Sequence, residues 1–120
     1  MKITPLLKNA DWKEIPQEAL REEFRKAEKC GEIRIGENCL FYRGFLRIRF
    51  APLEVCERMY MRVEFGEYGE FPLHEHYIVI RTRQGKELFL RMERPDDARA
   101  VMECMKKHFR RVALGKEKVE

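Results

Sequence analysis

The chain has 120 residues, with 25 Lys and Arg against 21 Asp and Glu, which gives a formal net charge of +4. Its length suits a single domain with its own core, and its 44% hydrophobic and 11% aromatic residues exclude a disordered chain. The longest apolar runs have four residues, whereas a membrane-spanning helix needs roughly 20, so no transmembrane segment is predicted.

The start of the chain lacks the apolar stretch of a secretory signal, which predicts a cytoplasmic protein. Its four cysteines, at positions 30, 39, 56 and 104, contain no C-x-x-C pair. We therefore expect reduced thiols that act as small buried hydrophobic groups. Their even number leaves a disulfide open as the alternative.

The first thirty residues predict a helical extension. Pro16 suits the first turn of a helix, and Leu20, Phe24 and Ala27 follow at helical spacing. Gly31 is predicted to end this helix, because glycine commonly follows the last helical residue.

From Glu32 the hydrophobic period changes to two, which predicts short strands. These are expected at 32–35, 39–43, 46–50, 59–65, 77–82 and 87–92. The segment 66–72 is rich in Gly and Glu and allows either a loop or a short edge strand. Gly85 lies in the turn between the last two strands, where a positive φ is favoured.

A second helix is predicted to begin at Pro95, with Asp96 and Asp97 near its positive end. Apolar residues then recur at helical spacing, namely Ala98, Val101, Met102, Met105, Phe109 and Val112. Residues 113–120 are predicted to form a basic tail.

The order of these elements predicts an α+β fold. We expect an antiparallel β-barrel or curved sheet of six or seven short strands, a C-terminal amphipathic helix and an extra N-terminal helix. Three features resemble those of a known protein family: the strand at 39–43, the Pro-containing segment at 49–58 that leads into the next strand, and the hairpin at 77–92 followed by a helix. In these the chain resembles the bacterial pleckstrin-homology-like (PH-like) family. The resemblance implies a PH-like domain at 31–112, between the extension at 1–30 and the tail at 113–120.

The residue types argue against catalysis. The chain contains no Ser, which removes a serine nucleophile, the G-x-S-x-G elbow and the Ser of a phosphate-binding loop. No spacing selects a Cys–His pair as nucleophile and base. We therefore expect a protein that is not an enzyme and uses no cofactor.

Three arginines surround the predicted reversal between two strands. Arg47 and Arg49 share a strand face and Arg43 precedes the reversal, so their guanidinium groups are candidates to converge on an anion. The set is similar to the basic pattern with which lipid-binding PH domains hold an inositol phosphate. The alternative is cross-strand pairing with Glu57 or Glu64.

His74 and His76 flank Glu75 and would lie on one face of a strand. They are weak candidates to bind Zn or Ni, with a further ligand from Glu70 or Glu87. The alternative is that both begin a strand and stay partly solvated. Because two ligands do not make a site, no metal is predicted.

Together these features predict a non-catalytic binding or scaffold domain that acts through protein contacts, including self-association. Exposed strand edges and the groove beside a C-terminal helix are places where a peptide can add. The alternative is a binder of an anionic lipid headgroup or phosphate through Arg43, Arg47 and Arg49. Nucleic acid is not expected as a partner, because the basic residues form no marked stripe.

Overall fold

The computed structural model describes residues 2–8, 10, 12, 14–44, 46–68, 71–108 and 112–115, with the backbone alone at 65–68, 71–74 and 95. This described part contains nine strands and two α-helices in an α+β arrangement. None of its helices is both long and apolar enough to cross a membrane.

The first sheet has five strands. In spatial order they are β1 (Ile3–Pro5), β5 (Arg47–Pro52), β4 (Cys39–Gly44), β3 (Ile33–Ile35) and β2 (Glu28–Cys30). Strands β2 to β5 form an antiparallel meander, whereas β1 lies parallel to β5 at the edge. Both edge strands therefore come from the first thirty residues, which sequence analysis described as an extension.

The second sheet has four strands. In spatial order they are β8 (Glu87–Met92), β7 (Phe71–Thr82), β6 (Cys56–Tyr68) and β9 (Ala113–Leu114). β6, β7 and β8 are antiparallel, and the short β9 runs parallel to β6. The predicted α+β class is confirmed and the strands are mostly antiparallel, but the described strands number nine rather than six or seven, lie in two sheets and form no closed barrel. The chain leaves the first sheet at Pro52 and passes through a 3-10 turn at Leu53–Val55 before it enters the second.

The first helix, α1 (Gln17–Lys26), is shorter than predicted. The sequence placed its end at Gly31, but Ala27 is already extended and the next three residues are β2. Gly31 instead has a φ of 64° between β2 and β3. Cys30 and Ile33, paired across that turn, are both buried, so tertiary packing overrides helix propensity here.

The second helix, α2, spans Pro95–Met105 and has proline in its first turn, as predicted. It continues as a 3-10 turn at Lys106–His108 rather than as a longer helix. Val112 is buried beyond that turn, and the predicted apolar position Phe109 lies outside the described residues, as do 116–120 of the predicted tail.

The first sheet is packed on both faces, so the molecule has layers. One face contacts α1 through a cluster that contains Leu20, Phe24, Phe41, Ile48 and Phe50. The other face contacts the second sheet and α2 through a larger cluster that includes Leu40, Met59, Ile78, Leu90, Val101 and Met105. The Tyr42 hydroxyl donates a hydrogen bond of 2.7 Å to the carbonyl of Arg91, which joins the two sheets directly.

Cys30 and Cys104 form a disulfide, with 5.5 Å between their Cα atoms. The expectation of four reduced thiols was therefore wrong for this pair. The two cysteines are 74 residues apart and meet only because β2 lies against α2. Cys39 and Cys56 are free and buried, and burial raises the pKa of each thiol to about 12.

The hairpin of β6 and β7 is longer than predicted. Its pairing runs from Cys56 opposite Thr82 to Tyr68 opposite Phe71, so most of the ambiguous segment 66–72 is strand. Gly69 and Glu70 lie outside the described residues. β8 pairs only with the second half of β7, so the outer half of this hairpin continues past the third strand.

Candidate functional site

The second sheet has one face that turns away from the first sheet, which we call the outer face. Alternation along β6, β7 and β8 places two rows of residues on it, namely Tyr60, Val79 and Phe89, then Arg62, Tyr77 and Arg91. The residues between them, such as Ile78 and Leu90, point into the core. The polar side of each alternating strand therefore contains aromatic residues.

The outer face carries an aromatic group around Phe89, a residue of the edge strand β8. Its side chain is 46% exposed, although Val79 beside it on β7 is fully buried. The Tyr77 ring meets Phe89 edge-on, with 5.9 Å between centroids. The Arg62 guanidinium lies 5.7 Å from the Phe89 ring centroid, within cation–π range. The group is thus held in place while one large apolar ring stays accessible.

Side chains of both charges, held in ion pairs, lie around this aromatic group. Arg62 pairs with Glu64 at 3.3 Å, and Arg91 pairs with Glu75 at 3.7 Å. Such exposed pairs contribute little to folding stability, at most about 1 kcal/mol each. Their effect is to balance the charge of the rim.

The two tyrosines of the outer face donate hydrogen bonds to carboxylates of the same sheet. The Tyr77 hydroxyl donates to Glu75 at 2.5 Å, and the Tyr60 hydroxyl donates to Glu87. Each of these bonds raises the pKa of its tyrosine hydroxyl, because the neutral form is the donor. Both tyrosines therefore stay neutral and orient their rings along the sheet.

The three arginines proposed as an anion site do not share a face. Gly44 pairs with Arg47 and Tyr42 pairs with Arg49, which puts both arginines on the face toward Tyr42. Arg43 pairs with Ile48 and so lies on the opposite face, toward α1.

Arg49 occupies an unusual position beside the inter-sheet contact. Its guanidinium lies 5.5 Å from the centroid of the Tyr42 ring. Its Nε is buried and has no hydrogen-bond partner among the described residues.

The acidic partners proposed in the alternative interpretation are engaged elsewhere. Glu57 lies 3.3 Å from Arg81, and Glu64 pairs with Arg62.

The two histidines proposed as weak metal ligands lie on β7. His76 is partly buried and pairs with Val63 and Met92, whereas the side chain of His74 is outside the described part of the structure. Glu87 pairs with Arg81, five positions along β7 from His76, or about 17 Å. Glu87 is therefore too distant to complete a site with His76, and Glu70 lies outside the described residues.

A cleft of about 660 Å³ lies between α1 and the loops at 36–38 and 52–54. Its polar lining includes Glu23, Glu37, Glu54 and Arg83, and Cys39 forms part of its floor. Because burial raises the pKa of the Cys39 thiol to about 12, this thiol is protonated at neutral pH. Cys39 is therefore unsuited to act as a nucleophile.

The sequence pattern predicts strands at 59–65 and 87–92 but does not identify Phe89 as a functional residue. The signal was an aromatic residue at a polar position of an alternating strand, with Glu87 and Arg91 as its same-face neighbours. No family model, curated protein or solved structure matches the chain. The geometry of its own residues is therefore the basis for a functional proposal.

Proposed function

We propose that the chain is a non-catalytic binding domain whose outer face contacts another protein. The observation that supports this most directly is Phe89, a large apolar side chain that is 46% exposed at the centre of an ordered aromatic group. Interface centres are enriched in aromatic residues and Arg, whereas their rims are polar. The outer face has both properties.

The first partner to consider is a second copy of the chain. Arg62 beside Glu64, and Arg91 beside Glu75, place both charges next to each other around the aromatic centre. A twofold contact brings the same patch together on both subunits, so a patch with both signs can be self-complementary. A polyanion such as nucleic acid would favour an excess of positive charge instead.

The test compares the self-association of the wild type with that of Phe89→Thr in sedimentation equilibrium over a wide concentration range. Thr keeps strand propensity and removes the ring. Because aromatic interface centres contribute at least about 1 to 2 kcal/mol, the dimer dissociation constant should rise tenfold or more.

Leu46→Asn is the matched control. Leu46 is 87% exposed in the turn between β4 and β5, and its φ of 67° suits Asn. This variant removes an exposed apolar side chain of the first sheet that is not part of the outer face, and it should leave self-association unchanged. The proposal fails if the wild type is monomeric throughout and cross-linking in extracts captures no partner that depends on Phe89.

We also propose the PH-like resemblance as the fold relationship of this domain. It is supported by the order of the strands: a four-stranded antiparallel meander, β2 to β5, precedes a three-stranded one, β6 to β8, and α2 follows.

A second candidate function is binding of phosphate or an anionic headgroup, now through Arg47 and Arg49 alone. The supporting observation is the buried Nε of Arg49, which lacks a hydrogen-bond partner among the described residues. The Arg47→Ala and Arg49→Ala variants should no longer bind vesicles that contain anionic lipid. The Arg43→Ala variant should still bind them, because Arg43 is on the other face. Equal binding by all three variants would exclude this site.

A further inference from the structure

Four potential metal ligands lie near the contact between β2 and the end of α2: donor atoms of Glu28, Cys30 and Cys104 lie within 4.8 Å of one another, and His108 joins this group through Glu28. Glu28 and Cys30 are two residues apart on a strand and share a face. Cys104 and His108 are four residues apart across the end of α2 and its 3-10 turn, a spacing that also favours one face. Each element therefore contributes two donors to one place.

Two distances from the Glu28 carboxylate, one from each of its oxygens, are close to the ligand separations of a tetrahedral metal site. Cys104 Sγ lies 3.6 Å from Glu28 Oε1, and His108 Nε2 lies 3.1 Å from Glu28 Oε2. Zinc bonds of about 2.0 to 2.3 Å put tetrahedral ligand atoms roughly 3.3 to 3.8 Å apart. The two sulfur atoms are joined in the structure and would have to separate to this distance.

We propose that the reduced chain binds one zinc ion through Cys30, Cys104, His108 and Glu28. This inference is independent of the outer face and of the proposed binding function. Two thiolates, one imidazole and one carboxylate suit Zn²⁺, whereas Mg²⁺ and Ca²⁺ prefer oxygen ligands alone. All four positions would be filled by the protein, so the site would be structural.

The surroundings of the cluster agree with this assignment. Cys30 is almost fully buried and the His108 side chain is 17% exposed, so these two ligands would shield one side of the ion, whereas Glu28, with 38% of its side chain exposed, would be on the solvent side. Two thiolates, one carboxylate and Zn²⁺ sum to one negative charge. Lys107, whose Nζ lies 2.5 Å from Glu28 Oε1, would balance that charge.

The disulfide and the zinc site are alternative states of the same pair of cysteines. A thiol or phosphine reductant supplies two electrons, and two protons are taken up, so that the S–S bond opens to two thiols. Zinc binding then displaces both thiol protons and forms two Zn–S bonds. The cytoplasmic location expected from the sequence would favour the thiol state.

The test is a Co²⁺ titration of the full chain after reduction with a phosphine under anaerobic conditions. We expect one Co²⁺ per chain, with thiolate-to-metal charge-transfer bands and the d–d bands of a tetrahedral site, and displacement by Zn²⁺. The oxidised chain should bind none. Absence of these bands in the reduced wild type would overturn the proposal.

Single substitutions test which side chains bind the metal ion. Cys104→Ser should abolish the charge-transfer bands, whereas Cys39→Ala and Cys56→Ala should keep them, because these free cysteines lie outside the cluster. Loss of the bands in either control, or their survival in Cys104→Ser, would contradict the assignment. His108→Gln keeps both cysteines, so its folding can be verified in the disulfide form. After reduction its Co²⁺ affinity should fall by at least the roughly 10- to 100-fold typical of losing a supporting outer-shell group.

Discussion

At the residue scale, the hydroxyl of Tyr42 forms a direct hydrogen bond between the two sheets. It comes from β4 in the first sheet and donates to the Arg91 carbonyl on β8 in the second. The ring is 7% exposed, so water is a poor substitute for this contact. The position of the two sheets relative to each other therefore depends in part on this one hydroxyl group.

We predict that Tyr42→Phe lowers the free energy of unfolding by about 1 kcal/mol, the usual net contribution of such a bond. The ring remains, so its packing and the contact with Arg49 are preserved. Urea denaturation of wild type and variant measures the difference. Tyr60→Phe is the control: its hydroxyl bonds to Glu87 at the surface, and the change should stay within a few tenths of a kcal/mol. An equal loss in both variants would contradict the inter-sheet role.

Cys56 gives the second prediction at this scale. Burial raises the pKa of its thiol from 9.0 to about 12. The unfolded thiol ionises above pH 9 while the folded thiol stays protonated, so the folded state holds the extra proton. Stability is therefore fully present below pH 9 and is lost as pH rises toward 12.

The slope of this loss is at most about 1.4 kcal/mol per pH unit for one thiol. We predict that urea unfolding between pH 8 and 10.5 shows a steeper decline for wild type than for Cys56→Ala. Tyrosine and lysine ionisation occurs in both proteins and cancels in the comparison. Parallel declines would mean that the Cys56 thiol ionises equally in both states.

At the scale of elements, the sequence predicted the helices and strands that depend on a local pattern of residues. The alternation of Met59 with Arg58 and Tyr60, and the proline that opens α2, both identified elements at the right place. Gly85 takes the positive φ that its turn predicted, at 88°. Each of these features depends on residues within one turn or one strand.

Elements that depend on distant partners were missed. Three-residue β1 is a strand only because it lies along β5, more than 40 residues later. β2 was predicted as the last part of the helix that Gly31 would end, yet its pairing with β3 and its contact with α2 decide its structure. Leu46 was predicted as a strand residue, but it takes the left-handed conformation of the turn and is 87% exposed.

The same difference between local and distant contacts explains why the sequence did not predict the candidate sites as the structure shows them. Arg43 was grouped with Arg47 and Arg49 because it directly precedes the predicted reversal between the two strands. In the actual register Gly44 pairs with Arg47, which puts Arg43 on the other face. The cluster of Cys30 with Cys104 joins two elements 74 residues apart, a contact that no spacing within the sequence indicates.

A substitution in helix α1 tests whether the N-terminal segment is a stable part of the folded domain. Leu20 and Phe24 pack on the first sheet together with Phe41, and Leu20 is 2% exposed. We predict that Leu20→Ala costs about 2 to 5 kcal/mol in urea denaturation, as for other buried leucines. Glu18→Ala, at an exposed position of the same helix, should change stability by only a few tenths of a kcal/mol. A similarly small effect of Leu20→Ala would mean that α1 detaches from the sheet.

At the scale of the whole molecule, the Cys30–Cys104 disulfide connects the first sheet covalently to helix α2. β2 belongs to the first sheet, and α2 packs on strands of the second. The bond closes a loop that contains 74 of the 120 residues in sequence separation, which is most of the chain. The disulfide therefore restricts the unfolded state of more than half of the chain.

Chain-entropy arguments give about 4 kcal/mol for closing a loop of this length. A protein of this size has a total stability of about 5 to 15 kcal/mol, so the reduced, metal-free chain should keep only part of it. We predict that a phosphine with a chelator lowers the free energy of unfolding by this amount, measured in urea against the oxidised chain. Cys39→Ala should show the same difference between its two redox states, since its disulfide is intact. If reduction has no effect on the wild type, the two sheets hold together without the bond. If added Zn²⁺ then restores stability to the reduced wild type but not to His108→Gln, metal and disulfide cross-link the same two elements.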